Sequence, residues 1–316
     1  MPTLRPTRPR IDLSTLMARF SCEIKCREYL ERLRWPNGPT CAKCGGKEFA
    51  RVQGRENILR CTDCQTHLSV MAGTVFNDSH LPLQKWFLAT FILTQSKKGV
   101  SACQIQRMLG IGGYKTAWYL CHRIRSAMVE SQRGKLDGTV EMDETYIGGK
   151  THNVLGKSWR RGNAHTKEVV IGIRKRNGEL RFFHAEDAKK GTLARYIREN
   201  ISEEVSVIVT DELAAYPAAL GNLERRHETV NHSRKEYVRL GTDIHTNTVE
   251  SAFSLLKRGI VGTWHKISAK HLQSYLDEME FRFNRRKSET LFQDTLRRMV
   301  NAPVLTFQKL TKEKAA

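Results

Sequence analysis

Four cysteines in two Cys-x2-Cys pairs, Cys41-Ala42-Lys43-Cys44 and Cys61-Thr62-Asp63-Cys64, constrain this chain more than any other feature. Each two-residue turn brings its pair of sulfurs to one side of a metal. Two pairs with 16 residues between them can therefore surround one Zn²⁺ tetrahedrally, with each sulfur at about 2.3 Å. Gly45-Gly46 after the first pair supplies the backbone freedom such a knuckle needs. The spacing predicts a structural site, closed by four thiolates and with no open position for a substrate. His67, three residues past Cys64, is expected to stay outside a site that four sulfurs already saturate. Metal binding should supply much of the folding energy of so small a ribbon. Cys22, Cys26, Cys103 and Cys121 are expected to be ordinary half-buried thiols, since paired Cys-x2-Cys in a reducing compartment favours metal over disulfides.

Charge narrows the partners. Lys and Arg number 53 against 33 Asp and Glu, a formal net charge of +20, and such an excess repels itself unless a polyanion is the usual neighbour. Nucleic acid is the expected partner, although a generic basic protein such as a ribosome-associated factor shares the composition. No run of about 18 apolar residues could span a bilayer, and no apolar secretory core opens the chain, so no membrane partner is expected. At 316 residues the chain should hold two or three modules.

Residues 1–18, with Pro2, Pro6 and Pro9 among Arg5, Arg8 and Arg10, read as a basic arm. Residues 19–78 form the zinc-ribbon region, opening on an amphipathic helix over 22–34 that ends before the turn Trp35-Pro36-Asn37-Gly38. Residues 79–133 show three runs of apolar residues at helical spacing. The break Leu109-Gly110-Ile111-Gly112-Gly113 resembles the turn of a helix-turn-helix, with Ser101 as N-cap of the preceding helix. The helix after it is expected to carry Tyr114, Lys115, Thr116, Arg123 and Arg125 outward toward DNA. A plain three-helix linker has the same pattern. From residue 134 to about 300 the texture changes to strands over 138–146, 168–176, 180–185 and 205–210, with Asn177-Gly178 as a two-residue hairpin signal. Helices follow over 192–200, 213–220, 246–257 and 269–286, with a short strand near 228–231. Three strands, a helix, a strand, a helix, a short strand and a helix is the order of the ribonuclease-H-like α/β fold. Residues 301–316 remain as a tail.

Acids fall where that order makes them converge. Asp143 is expected at the end of the first strand and Asp211 at the end of the fourth, its neighbour in the sheet, while Glu250 opens a helix. Asn247, three residues before Glu250, and Lys257, seven beyond it, share its helical face. Three separated carboxylates suit Mg²⁺ or Mn²⁺, which take oxygen ligands. Two such ions about 3.5–4 Å apart can activate the attacking oxygen and stabilise the leaving one in phosphoryl displacement. Asp143 and Asp211 taken singly read equally as strand-end caps. Glu144 and Glu212 adjoin them, and parity does not choose among neighbours in a sheet covered on both faces.

At these residues the chain resembles the bacterial insertion-sequence transposases of the fifteen-ninety-five family, typified by ISXO-two, which join a zinc ribbon to a DDE integrase domain. The resemblance lies in the ribbon over 41–64, Met142-Asp143-Glu144-Thr145-Tyr146-Ile147-Gly148-Gly149-Lys150, Thr210-Asp211-Glu212 with Tyr216, and His245-Thr246-Asn247-Thr248-Val249-Glu250-Ser251 with Leu255-Leu256-Lys257-Arg258-Gly259. Phe281-Arg282-Phe283-Asn284-Arg285-Arg286 completes it. It implies a two-metal DNA transposase acting on the terminal inverted repeats of its own element, with Asp143, Asp211 and Glu250 as Mg²⁺ or Mn²⁺ ligands and Asn247 as the rival third ligand. It also implies a cytoplasmic, nucleoid-associated protein that works as a homo-oligomer on double-stranded DNA. A basic zinc-ribbon regulator or an inactive derivative is the alternative. The segment with Lys150, His152, Lys157, Arg160 and Arg161 and that with Arg258, Trp264, His265 and Lys266 would hold DNA ends, by phosphate contacts and by stacking on Trp264.

Overall fold

A computed structural model of the chain describes residues 11–148, 167–231, 238–239 and 241–312. These residues form two compact units, one from residues 1–129 with 285–316 and the other from 130–284. The expected boundary at residue 300 thus falls inside the first unit. No helix among the described residues is long and apolar enough to cross a membrane.

In the first unit, α1 (Leu13–Arg19) and α2 (Glu23–Arg34) precede a three-stranded antiparallel sheet, β1 (Phe49–Val52), β2 (Arg55–Cys61) and β3 (His67–Leu68). Helices α3 (Leu83–Gln95), α4 (Ala102–Leu109) and α5 (Tyr114–Ser126) follow. Ser101 caps α4 by accepting the N–H of Gln104, and Gly110 ends it in the left-handed region, so the turn toward α5 matches its reading. The ribbon is tied to α2 by a two-pronged ion pair from Arg51 to Glu31 and by Arg34, which donates to the carbonyls of Ser69, Val70 and Ala72.

Two expectations fail on the far side of α5. Tyr114, Lys115 and Thr116 are exposed, but Arg123 and Arg125 are 3% and 1% exposed. Arg123 lays its guanidinium over the rings of Trp86 and Tyr119 and donates to the Asn77 carbonyl. A long aliphatic stem and a flat, weakly hydrated head let arginine bury this way. The expected C-terminal tail, as far as residue 312, holds a helix that covers the same region. Helices α10 (Leu291–Asn301) and α11 (Phe307–Thr311) bring Phe292 against Phe87, with centroids 6.0 Å apart, and Phe307 against Tyr119 at 5.4 Å.

The second unit is built on a five-stranded sheet in the order β6-β5-β4-β7-β8. Strands β4 (Thr139–Ile147), β5 (Glu168–Lys175) and β6 (Leu180–Ala185) form an antiparallel meander. Helix α6 (Lys190–Asn200) crosses to β7 (Val207–Thr210), parallel to β4, and α7 (Ala215–Leu220) leads to β8 (His227–Thr229), parallel to β7. Then come α8 (Asn247–Gly259), a π-helical turn (Ile260–Trp264) and α9 (Ala269–Asn284). This is the ribonuclease-H-like arrangement. The β5–β6 turn differs in detail: Lys175 N–H bonds to Glu179 C=O, and Asn177 lies in the left-handed region at φ +59° while Gly178 does not. A two-residue type I′ turn needs both central residues there.

Alternation along the strands sorts the core into two layers. Val140, Met142, Ile171 and Ile173 face α6 and α7, whereas Val170 and Phe182 face α8 and α9 through Val249, Phe253, Leu256 and Leu276. The outer edge of β6 is closed by α9 side chains. Asn284 bonds both the N–H and C=O of Leu180, Glu280 accepts from Phe182 N–H, and Gln273 bonds Phe182 C=O and His184 N–H. A strand edge left open invites foreign pairing. Asn284→Ala is expected to cost about 1–2 kcal/mol, two hydrogen bonds' worth, read as a lower urea midpoint with unchanged slope.

Candidate active site and zinc centre

The four ribbon sulfurs lie within 4.8 Å of one another. Cys41 and Cys64 Sγ are 3.5 Å apart and Cys44 and Cys61 Sγ 3.6 Å, close to the ~3.8 Å edge of a tetrahedron with sulfurs 2.3 Å from zinc. The two halves repeat one backbone design. Gly45 N–H bonds Cys41 C=O and Gln65 N–H bonds Cys61 C=O, with Gly45 at φ +76° and Gln65 at φ +61°. His67 sits on β3 opposite Arg60, outside the cluster, as expected. Four thiolates in this geometry fit a structural zinc. Of the remaining cysteines, Cys26 and Cys121 are fully buried and Cys103 is exposed, so the half-buried reading holds only for Cys22.

The acidic residues come together at the carboxyl end of β7. Val209 pairs with Glu141 in the parallel ladder, so Asp211, two residues on, comes level with Asp143. Asp143 lies in the middle of β4 rather than at its end, because β4 continues along β5 to Ile147 after β7 has stopped at Thr210. Oxygens of Asp143, Glu144 and Asp211 lie within 4.8 Å of one another. Glu144, which sequence reading left as a mere neighbour, belongs to this group; the Tyr216 hydroxyl donates to its Oε2 at 2.8 Å. Glu250 is not in the tight group, but it lines the same cleft, of about 540 Å³, together with Asp143, Glu144, Phe253, Lys257, Arg258 and Val261. Thr246 Oγ1 donates to Glu250 Oε1 at 2.7 Å. Asn247 is exposed at the start of α8 and does not line the cleft.

Electrostatics tests whether a cation suits these residues. Burial, then the charges of Glu144 and Asp211 and, more weakly, Glu250, pushes the Asp143 carboxyl up to about 8. Burial likewise raises Glu144, against the hydrogen bond from Tyr216. Clustered carboxylates are costly together and offer the all-oxygen donor set that a hard divalent cation takes. A raised acid favours the folded state fully below its ordinary pKa near 4, and that advantage is lost as pH rises through about 8. A divalent cation must displace the Asp143 proton below pH 8. The rise in melting temperature on adding Mg²⁺ is therefore expected to grow between pH 6 and 8 and to level off above, by calorimetry.

Helix α8 sits where two features of the sheet allow it, and neither was singled out in the sequence. Glu141 is fully buried, and its Oε2 accepts from Thr248 N–H at 3.0 Å, Thr248 Oγ1 at 2.6 Å and Val249 N–H at 3.0 Å. Opposite Asp143 in the ladder is Gly172, where an added Cβ would stand 2.7 Å from Phe253 Cζ and 2.9 Å from Val249 Cγ2. Of the expected DNA-holding segments, the one from Lys150 to Arg161 lies outside the described residues. In the other, Trp264 packs against Tyr275 in a T-shaped pair with ring centroids 5.0 Å apart.

A ribonuclease-H-like sheet thus gathers acids at one strand end, in a chain that also carries a four-cysteine ribbon. Residues 135–284 match the ISXO2-like transposase domain, and residues 21–67 match the transposase zinc-ribbon domain. The chain belongs to the ISXO2-like family of insertion-sequence transposases. It is 27% identical over 276 residues to an uncharacterized protein in transposable element ISH50 of Halobacterium salinarum, covering 83% of this chain and 91% of that one. Crystal structures of the Mos1 strand transfer complex and of a pre-cleavage Mos1 transpososome align with TM-scores of 0.29 and 0.26. Each is 11% identical and covers 68% of this chain, with 75% and 76% of the Mos1 chains. The fold assignment rests on the strand order.

Proposed function

We propose that this chain catalyses metal-dependent cleavage and strand transfer of DNA at the terminal inverted repeats of its own element. The observation that carries the reading is the gathering of Asp143 and Glu144, from β4, with Asp211, at the end of β7, within 4.8 Å, beside a cleft that Asp143 and Glu144 line together with Glu250 from the first turn of α8. Asp143, Asp211 and Glu250 would hold Mg²⁺ or Mn²⁺, and Glu250 is preferred to Asn247 because its side chain lines the cleft. Two bound ions would activate the attacking oxygen and stabilise the leaving one in an in-line displacement. Lys257 and Arg258, about two turns beyond Glu250 on α8 and on the wall of the same cleft, would hold the phosphate backbone there. The net charge of +20 supports binding to double-stranded DNA as transposon ends and target, and paired ends call for at least a dimer.

The test is incubation of the full chain with Mg²⁺, a linear duplex carrying the element's end and a target plasmid. Joined end–target product is expected with wild type and none with Asp211→Asn. Sequence-specific end binding with neither cleavage nor joining would replace this reading with a DNA-binding regulator.

A further inference from the structure

We infer that Glu141 is a positioning residue: it sets Glu250 relative to Asp143 by holding the N-terminus of α8 from the same strand that carries Asp143. This rests on Glu250 being a metal ligand, as proposed above.

Glu141 and Asp143 are two apart on β4 and so face the same side of the sheet, about 6.8 Å apart along the strand. Glu141 spends one oxygen on α8, taking three donors from Thr248 and Val249, and the other on Arg176 Nε at 3.1 Å. Val249 immediately precedes Glu250, so the clamp acts one residue from the ligand. The first N–H groups of a helix have no partner within it, and a buried anion there satisfies them and favours the helix dipole. Arg176 compensates the buried charge, and it is itself held by Asp243 and by the carbonyl of His245, at the entry to α8. Arg174, next but one along β5, donates to Thr248 C=O, so the same turn is gripped at both its N–H and C=O groups. Gly172 sets the depth of α8 on the sheet; Glu141 sets its position along β4. An acid beyond hydrogen-bond reach of the cleft would thus govern its geometry.

The experiment measures Mn²⁺ affinity by electron paramagnetic resonance, with kcat and KM for end cleavage, in the full chain carrying Glu141→Gln, Glu250→Gln or both. Glu141→Gln keeps an oxygen for α8 but replaces the other with an amide facing Arg176. It is expected to weaken Mn²⁺ binding roughly tenfold, as for other partners that orient metal ligands, and to lower kcat while leaving KM for DNA unchanged. If Glu141 acts through Glu250, adding Glu141→Gln to Glu250→Gln weakens Mn²⁺ binding no further. Should Glu141→Gln not fold, Thr248→Val, which removes one of the three donors, is expected to show the same loss at smaller size. Losses that simply add in the double variant, or unchanged Mn²⁺ affinity in a folded single variant, would overturn the inference alone. Wild-type Mn²⁺ affinity that Glu250→Gln does not alter would overturn the ligand assignment, and this inference with it.

Discussion

Asp143→Asn is expected to lower end cleavage by about 10³-fold or more, the scale on which a group that stabilises transition-state charge is lost, while making the metal-free protein more stable at pH 8. The two effects have one cause. Asp143 is half-buried, and burial, then the charges of Glu144 and Asp211 and, more weakly, Glu250, pushes its carboxyl up to about 8. An amide of the same shape removes the repulsion and the metal-binding charge together. Stability gained at the expense of activity is the mark of a site kept strained for function. Melting temperature without metal at pH 8 should rise by a few degrees, gel-resolved cleavage should fall below detection, and end binding should persist. An Asp143→Asn protein that cleaves normally, or that melts lower than wild type without metal, would contradict this account of the site.

Removal of zinc is expected to have the largest effect on the fold. The sheet β1–β3 is short, and the residues of β1 and most of β2 are exposed or only half-buried. Little apolar burial is available to hold it. Metal ligation by Cys41, Cys44, Cys61 and Cys64 is therefore expected to supply most of its stability, on the order of 10 kcal/mol as in other structural zinc modules. Chelation, or Cys61→Ala, should make residues 41–68 susceptible to protease while the residue 130–284 unit stays resistant. The damage should reach α2, because Arg51–Glu31 and Arg34 tie the ribbon to that helix. A ribbon that keeps its protection after one equivalent of zinc has been released would contradict this.

Much of this was legible in the sequence because it is encoded locally. The cysteine spacing carries its own geometry. The sheet's element order follows from period-two apolar runs and from Asn177-Gly178, even though the turn takes one residue more than expected. What could not be read depends on distant partners. Glu141, Asp143 and Glu144 are three acids in four residues of one strand. One holds a helix that begins a hundred residues later, and two share a cluster with Asp211. Only the packing of α8 on one face and Tyr216 on the other tells them apart. Arg123 and Arg125 look like a DNA-facing row because helical spacing shows charge but not burial, nor the rings of Trp86 and Tyr119 under Arg123. The packing of residues 285–312 on the first unit is non-local in the same sense, since Phe292 and Phe307 announce apolar contact without naming Phe87 and Tyr119.

Crystals of the full chain grown with Mn²⁺ and measured at the manganese absorption edge test the central claim most directly. The account predicts one or two anomalous peaks, about 2.1 Å from oxygens of Asp143 and Asp211, with Glu250 as a further ligand of at least one. Anomalous signal at the four cysteines, with none at the acids, would contradict it.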